Sequence, residues 1–313
     1  CAAAVLLVLD TFARDREVVV SRGQLIEIGG GFRLPDVLRK SGAKLVEVGT
    51  TNKTYPLDYR NAWTQATALF MRTHPSNYRV EGFTADVGAQ TLAALARELG
   101  VISFEDLGSG AVVDLERFGL PHEPTVAEEI AAGIDLVAFS GDKLLGGPQC
   151  GIIVGRADLI DTMRHNPLLR ALRVDKLTLA ALSATLALFL EPDKLDQIPL
   201  FAMLSASLES LRSRADAMCA SVRGRDPNVK LWTCECESTT GGGTLPLARL
   251  ASAGVAVSVS GMSPDFIAAR LRKRELPLVG RLEEIAFVID LRTVDPSEDH
   301  LVVEALGSLH STP

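Results

Sequence analysis

What this sequence lacks narrows its function before any motif is read. Its longest uncharged apolar stretch, residues 177–190, has 14 residues. That falls short of the roughly 20 that a membrane-spanning helix needs, so a buried helix is expected there and no membrane partner. No charged, cleavable apolar leader opens the chain, so nothing marks it for secretion. Basic residues are not in excess: 32 Lys+Arg against 39 Asp+Glu give a net charge of −7, which offers no general surface for nucleic acid. No G-x-x-x-x-G-K-S/T loop is present, and Gly29-Gly30-Gly31 lacks the spacing of a dinucleotide fingerprint. The five cysteines (Cys1, Cys150, Cys219, Cys234 and Cys236) are odd in number and scattered, which excludes a disulfide framework and fits a reducing, cytoplasmic compartment. Cys234-Glu235-Cys236 is not a C-x-x-C, and no second ligand pair follows, so structural thiols and no metal are expected.

What is present is the composition of a globular protein, with 313 residues, 47% hydrophobic and 23% charged, enough for about two domains. The chain opens on Cys1 rather than Met, directly into an apolar helical run, as expected of a piece of a longer protein. Its first two-thirds alternates short apolar runs with amphipathic segments, the pattern of βαβ units and a mainly parallel sheet. Strands are expected at 18–20, 44–48, 68–72, 101–105, 136–140 and 150–154, and helices at 34–40, 87–99, 126–132, 159–164 and 176–190. After residue 198 the pattern changes. One long helix over 199–222 leads to strands near 229–233, 256–260 and 286–290, with helices at 264–274 and 297–309. The expected organisation is a large α/β domain over 1–198 and a smaller α+β domain over 199–313.

The sharpest constellation is Ser140-Gly141-Asp142-Lys143-Leu144-Leu145-Gly146-Gly147-Pro148-Gln149. A lysine just past a strand, in a loop of small residues, can present its amine in a cleft and form a Schiff base with pyridoxal 5′-phosphate (PLP). Such enzymes pair the lysine with an acid at the ring nitrogen. Asp106, ending another strand in Asp106-Leu107-Gly108-Ser109-Gly110, stands 37 residues earlier. Neighbouring parallel strands would put both side chains at the carboxyl edge of the sheet, where α/β proteins bind ligands. Ser140 is placed to hydrogen-bond the cofactor phosphate. The run Arg270-Leu271-Arg272-Lys273-Arg274, with Glu275 beside it, reads as a solvated helix end rather than an RNA contact.

These blocks, together with Ser21-Arg22-Gly23-Gln24-Leu25-Ile26-Glu27, Val48-Gly49-Thr50-Thr51-Asn52-Lys53-Thr54 and Ser76-Asn77-Tyr78, resemble the bacterial selenocysteine synthase (L-seryl-tRNA(Sec) selenium transferase) family. The resemblance implies a PLP-dependent fold-type I enzyme of aspartate aminotransferase-like architecture. Its reaction would convert seryl-tRNA(Sec) to selenocysteyl-tRNA(Sec) with selenophosphate, through an aminoacrylate. It further implies that Lys143 takes the Cα proton, that Asp142 protonates the departing hydroxyl, and that Thr50, Thr51 and Asn77 line the cofactor pocket. Arg170 and Arg173 match the family's anion-binding arginines, three residues apart and on one face of any helix there. The family grips tRNA with an N-terminal domain that precedes the region matched here, and it assembles as a homo-oligomer, a ring of dimers. No role follows for Arg22, Arg33 or His74. A PLP lyase acting on a small phosphorylated amino acid or amino sugar, and an inactive scaffold subunit, are the alternatives that the residues leave open.

Overall fold

The computed structural model of the chain describes residues 1–27, 31, 33–224 and 226–309. Gly29, Gly30 and Phe32 of the triglycine block lie outside the described residues. The chain forms two compact units, one of residues 1–200 with 240–248, the other of 201–239 with those from 249 on.

The first unit is built on a six-stranded sheet. Its strands are β1 (Glu17–Ser21), β2 (Lys44–Val48), β3 (Thr67–Thr73), β4 (Ile102–Asp106), β5 (Leu136–Ser140) and β6 (Gly151–Gly155), in the order β2-β1-β3-β4-β5-β6. All neighbours pair in parallel except β5 and β6. Successive side chains of a strand point to opposite faces, and in the four inner strands, β1, β3, β4 and β5, both faces are covered. Val18, Val20, Leu69, Met71, Phe104 and Leu136 pack with helix α1 (Ala2–Phe12) and helix α2 (Leu34–Lys40). Val19, Phe70, Val137 and Phe139 pack on the other side, against α4 (Ala89–Leu99), with α3 (Pro56–Ala62) contributing Tyr59. Double coverage is why the strands read as unbroken apolar runs, each fully buried Val, Leu or Phe adding about 1.5–3 kcal/mol. Helix α4 stops at Gly100, whose φ of 68° takes the left-handed turn that closes a helix. A single turn and a half, α5 (Val126–Ala131), is started by a reciprocal cap between Thr125 and Glu128.

Three further helices, α6 (Ala157–Arg164), α7 (Leu169–Leu172) and α8 (Lys176–Phe189), follow β6. Helix α8 departs from expectation. Its apolar sequence predicts burial, yet none of its residues is buried, and Leu177 and Leu190 are 76% and 84% exposed. Composition demands a cover for such a helix but does not say what supplies it. Among the described residues, Thr178, Leu182, Thr185, Leu188 and Phe189 of this helix are half-covered and the rest are exposed.

The expected helix over 199–222 is two: α9 (Pro199–Ser205) and α10 (Leu208–Val222). Ser207 breaks it, its hydroxyl accepting from the Ser210 amide at 3.2 Å and so capping α10. In the second unit an antiparallel sheet runs β7-β8-β10-β9, from β7 (Val229–Ser238), β8 (Leu250–Val259), β9 (Arg281–Leu282) and β10 (Phe287–Asp290). One face packs Val255, Val257, Phe287 and Ile289 against α10, α11 (Pro264–Arg272) and α12 (Asp299–Gly307). The basic run is not simply solvated: Arg270 and Arg274 donate to the carbonyl and hydroxyl of Ser308, and Arg274 pairs with Glu304, fastening α11 to the end of α12. Residues 240–248, expected in the small domain, return to the first unit, because their glycines let the backbone close on Lys143. Among the described residues no helix is long and apolar enough to cross a membrane.

Candidate active site

Strand order alone locates the site. The chain goes from β1 to β2 on one side and then to β3 on the other, so the connections diverge above β1 and β3. Crevices for ligands open at such switch points, outside the carboxyl ends of the strands. A cavity of about 530 Å³ lies there, reached by Ser21 at the end of β1 and His74 just past β3.

The lysine loop sits two strands away. Asp106 is the last residue of β4, buried at 5% exposure, and pairs in register with Ala138 of β5, two residues before Ser140. Lys143 follows Ser140 by three residues and is half-buried. Hydrogen bonds hold the two segments together: the Leu144 amide donates to the Ser109 carbonyl at 3.0 Å, and the Gly141 amide to the Cys150 carbonyl at 2.9 Å. Two glycines make this closeness feasible. A Cβ on Gly141 would meet Cys150 Sγ at 2.5 Å, and one on Gly110, whose φ is 72°, would collide with the Ser140 carbonyl. Gly243 closes the other side, where a Cβ would stand 2.9 Å from Lys143 Nζ. Burial pushes the Asp106 carboxyl up to about 6, with Lys143 and His74 pulling the other way.

Other expected residues are placed less simply. Ser140 is buried at the end of β5. Asp142 is exposed beside Lys143. Thr50 and Thr51 are exposed on the rim of the cavity, and Thr50 Oγ1 closes its own turn by accepting from the Lys53 amide at 3.2 Å. Asn77 donates to the Glu27 carbonyl at 2.8 Å, and its Oδ1 is buried without a partner. The arginines do not share a helix. α7 is one turn ending at Leu172, and Arg173 leaves it with ψ of 140° because Asp175 must next cap α8, accepting from the Leu177 and Thr178 amides. Both arginines are exposed, and neither makes an ion pair among the described residues. Arg22 and Arg33 have structural partners, Glu47 with the Gly49 carbonyl, and Glu27.

Sequence reasoning missed several groups. The amide of His74 donates to the Asp106 carbonyl at 3.0 Å, while its Nε2 lies 3.0 Å from Glu123. Cys1 Sγ lies 3.2 Å from Asp106 Oδ1, so α1 starts at the site, with no acid in its first turn. Such a helix end favours an anion, and the run Ala2-Ala3-Ala4 was its available signal. The hydroxyls of Thr73, Ser76 and Ser109 are buried without partners, Thr73 opposite Asp106 in register and Ser76 next to Gly108. One exposed trio, Asp114, Glu116 and His122, gathers potential metal donors within 4.8 Å, but Asp114 is already engaged in capping the Glu116 amide.

On the opposite face of β4, Glu105 is fully buried against Arg72 at 3.1 Å, and Arg72 also holds Glu129 at 3.0 Å. Burial pushes Glu105 up to about 8. Arg72 opposes this, and Glu129, Asp106 and Asp86 add to it. A carboxyl raised in the folded state contributes stability that is complete below its ordinary value and is lost as pH rises through about 8. The thermal midpoint is therefore expected to fall as pH rises from about 5 to 8, by about 2–4 °C for each kcal/mol lost. Glu105→Gln should flatten that slope, the difference between the two midpoints shifting in the variant's favour as pH rises from about 5 to 8. A slope equally steep in the variant would refute the assignment.

Comparison with known proteins gives the lineage. Residues 1–295 match the profile of the family described as L-seryl-tRNA selenium transferase. The L-seryl-tRNA(Sec) selenium transferase of Caldanaerobacter subterraneus is 49% identical over 308 residues, covering 98% of this chain and 67% of its own. The enzyme of Geobacter sulfurreducens is 49% identical over 312 residues, with 99% and 68% covered, and that of Rhizobium meliloti 48% over 311, with 98% and 67%. The chain thus spans about two thirds of the length of these relatives. The solved structure of D-glucosaminate-6-phosphate ammonia-lyase superposes with a TM-score of 0.63 at 20% identity, covering 98% of this chain and 78% of that one. That likeness bears on the fold alone, an α/β architecture with a mainly parallel sheet, in keeping with what the family resemblance implies. By sequence, the chain belongs to the L-seryl-tRNA selenium transferase family.

Proposed function

We propose that this chain is the catalytic core of a PLP-dependent transferase that converts L-seryl-tRNA(Sec) to L-selenocysteyl-tRNA(Sec), with selenophosphate as donor. The observation that carries the reading is the joining of the Lys143 loop to the Asp106 turn through the Ser109–Leu144 hydrogen bond, with a buried carboxyl on one side and a lysine amine on the other. The residues suit the cofactor. Asp106 is a buried acid for a ring nitrogen. The orphaned hydroxyls of Thr73, Ser76 and Ser109 are donors available to an anionic acceptor. Ser140, Thr50, Thr51 and Asn77 complete the set proposed to hold it.

PLP, when bound, supplies an electron sink that lets a Cα proton leave and a β-substituent depart. Lys143 anchors the group through its amine and then accepts and returns the Cα proton. Asp106 keeps the proton on the ring nitrogen. Asp142, exposed next to Lys143, gives a proton to the departing seryl hydroxyl. Arg170 and Arg173 grip the phosphate of the selenium donor with forked donors. The exposed leucines of α8 support a homo-oligomer, and five free cysteines support a reducing cytoplasm.

The test is turnover of seryl-tRNA(Sec) with selenophosphate by the full-length protein carrying this core. A preparation that binds PLP and yields no selenocysteyl product would overturn the reading. The donor site is tested separately by titrating thiosulfate or phosphate. Arg170→Ala and Arg173→Ala should each weaken anion binding about tenfold, as loss of a charge-assisted contact predicts. Unchanged affinity in both variants would remove the two arginines from the donor site.

A further inference from the structure

The cavity at the switch point is lined by neither Lys143 nor Asp106, yet two short paths connect it to them. His74 lines it, and the His74 amide is bonded to the Asp106 carbonyl. Leu245 lines it too, two residues after Gly243, which lies against Lys143 Nζ. Two residues span at most about 7 Å, so a molecule in the cavity has the lysine amine within reach of a short arm.

The lining fits one kind of occupant. Gln24 is engaged at both ends, donating to Asp86 Oδ1 at 3.1 Å and accepting from the Thr73 amide at 3.0 Å. That fixes the Asp86 carboxylate at the wall and leaves its second oxygen to accept from a ligand. A carboxylate there repels phosphate and suits a ribose hydroxyl or an exocyclic amine. Tyr78 is also at the wall, its hydroxyl tied to the Gly23 carbonyl, which restrains an aromatic ring beside the space. Lys53 adds positive charge to the same lining, and Arg79, paired with Glu81 at 3.3 Å through its Nε, stands beside it, as a phosphodiester leading away would require. The loop wall is itself held out of its preferred shape. Leu245 has φ of 41°, a conformation leucine rarely adopts, and is buried.

We infer that this cavity receives the 3′-terminal nucleoside of the aminoacyl-tRNA, its base against Tyr78 and its ribose toward Asp86. The inference rests on the function proposed above. In that substrate serine is esterified to the terminal ribose, so a seryl group at Lys143 puts the ribose and base one short step away, where the cavity lies. An acidic chain can then engage its RNA substrate at one nucleotide without a broad basic surface.

The test uses the PLP-loaded protein and two probes, serinamide and 3′-deoxy-3′-(serylamido)adenosine, a stable nucleoside conjugate. Binding is read by calorimetry and by the cofactor absorbance band. The conjugate should bind at least about tenfold tighter than serinamide, the order that one stacked base supplies. Thr84→Trp, which fills the cavity from an exposed position, should abolish that advantage, whereas Thr84→Val should keep it. Both variants should retain the cofactor band. Equal affinity for the two probes in the unaltered protein, or a full advantage in Thr84→Trp, would overturn the nucleoside site while the proposed function stands. If neither probe shifts the cofactor band of the unaltered protein, the proposed function fails first and the site with it.

Discussion

Lys143→Ala is expected to lose the cofactor absorbance band and all covalent attachment, and to slow turnover by about four orders of magnitude or more, equivalent to at least about 5 kcal/mol of barrier. Two roles vanish together. The amine that anchors PLP is gone, and so is the base that lifts the Cα proton. The surroundings predict that the loss is chemical and not structural. The loop is held by backbone bonds from Leu144 to Ser109, Gly141 to Cys150 and Gly147 to Gly141, none of which uses the lysine side chain. The thermal midpoint without cofactor should therefore stay close to that of the unaltered protein. Lys143→Arg should be equally inactive, since a guanidinium stays protonated and does not form the linkage. Borohydride treatment followed by mass spectrometry decides the matter: PLP still fixed to the Lys143→Ala chain would place the anchor elsewhere.

Much of the first unit was legible because doubly covered strands leave a plain signal. Residues 44–48 and 136–140 are strands to the residue, since each is built around apolar residues (Leu45, Val46 and Val48; Leu136, Val137, Ala138 and Phe139) and each is followed by a glycine. Val18, Val19 and Val20 had to be buried whichever way they faced. The chemistry was legible at Lys143 and Asp106 for a related reason. Each stands just past or at the end of such a strand, and glycines mark where the chains approach. By contrast, the break at Ser207 turns on one hydroxyl choosing a backbone amide, a contest that periodicity does not register. The single turn of α7 fails similarly. A three-residue spacing promises a shared face only while the helix lasts, and Asp175 ends the freedom to continue it.

Groups contributed from far along the chain left the least trace. Gly241-Gly242-Gly243 reads locally as a turn between strands, and only the fold reveals that Gly243 meets a lysine 100 residues earlier. The cavity depends on strand order, with β1 flanked by β2 and β3, and no local pattern encodes that order. No role follows for His74 from the sequence because its two partners, Asp106 and Glu123, are brought to it by neighbouring connections. The apolar helix α8 was recognised as a helix and misjudged as buried. Its sequence records the need for cover, while the cover is absent from the chain's own described residues.

Replacing Asp106 by Asn should cost about three orders of magnitude in turnover, or about 4 kcal/mol, while leaving the lysine linkage in place. An amide cannot hold a cationic ring nitrogen, so the electron sink is lost although the cofactor still attaches. The pH dependence identifies the group. The carboxyl of the cofactor-free protein is pushed up to about 6 by burial. The complex holds one proton between carboxyl and ring nitrogen. Below about pH 6 the free carboxyl already carries a proton and the free ring another, so binding must release one and weakens by up to tenfold per unit of acidification. Folding without cofactor shows the opposite sign. The raised carboxyl contributes stability that is complete below its ordinary value of 3.8 and lost as pH rises through about 6. Cofactor should therefore stabilise the protein progressively more from pH about 4 to 7, and Asp106→Asn should remove that trend. Measuring the cofactor-induced shift in thermal midpoint across this range, in both proteins, separates a ring partner from a bystander. An Asp106→Asn variant with turnover within a few-fold and an unchanged pH trend would require another acid at the ring.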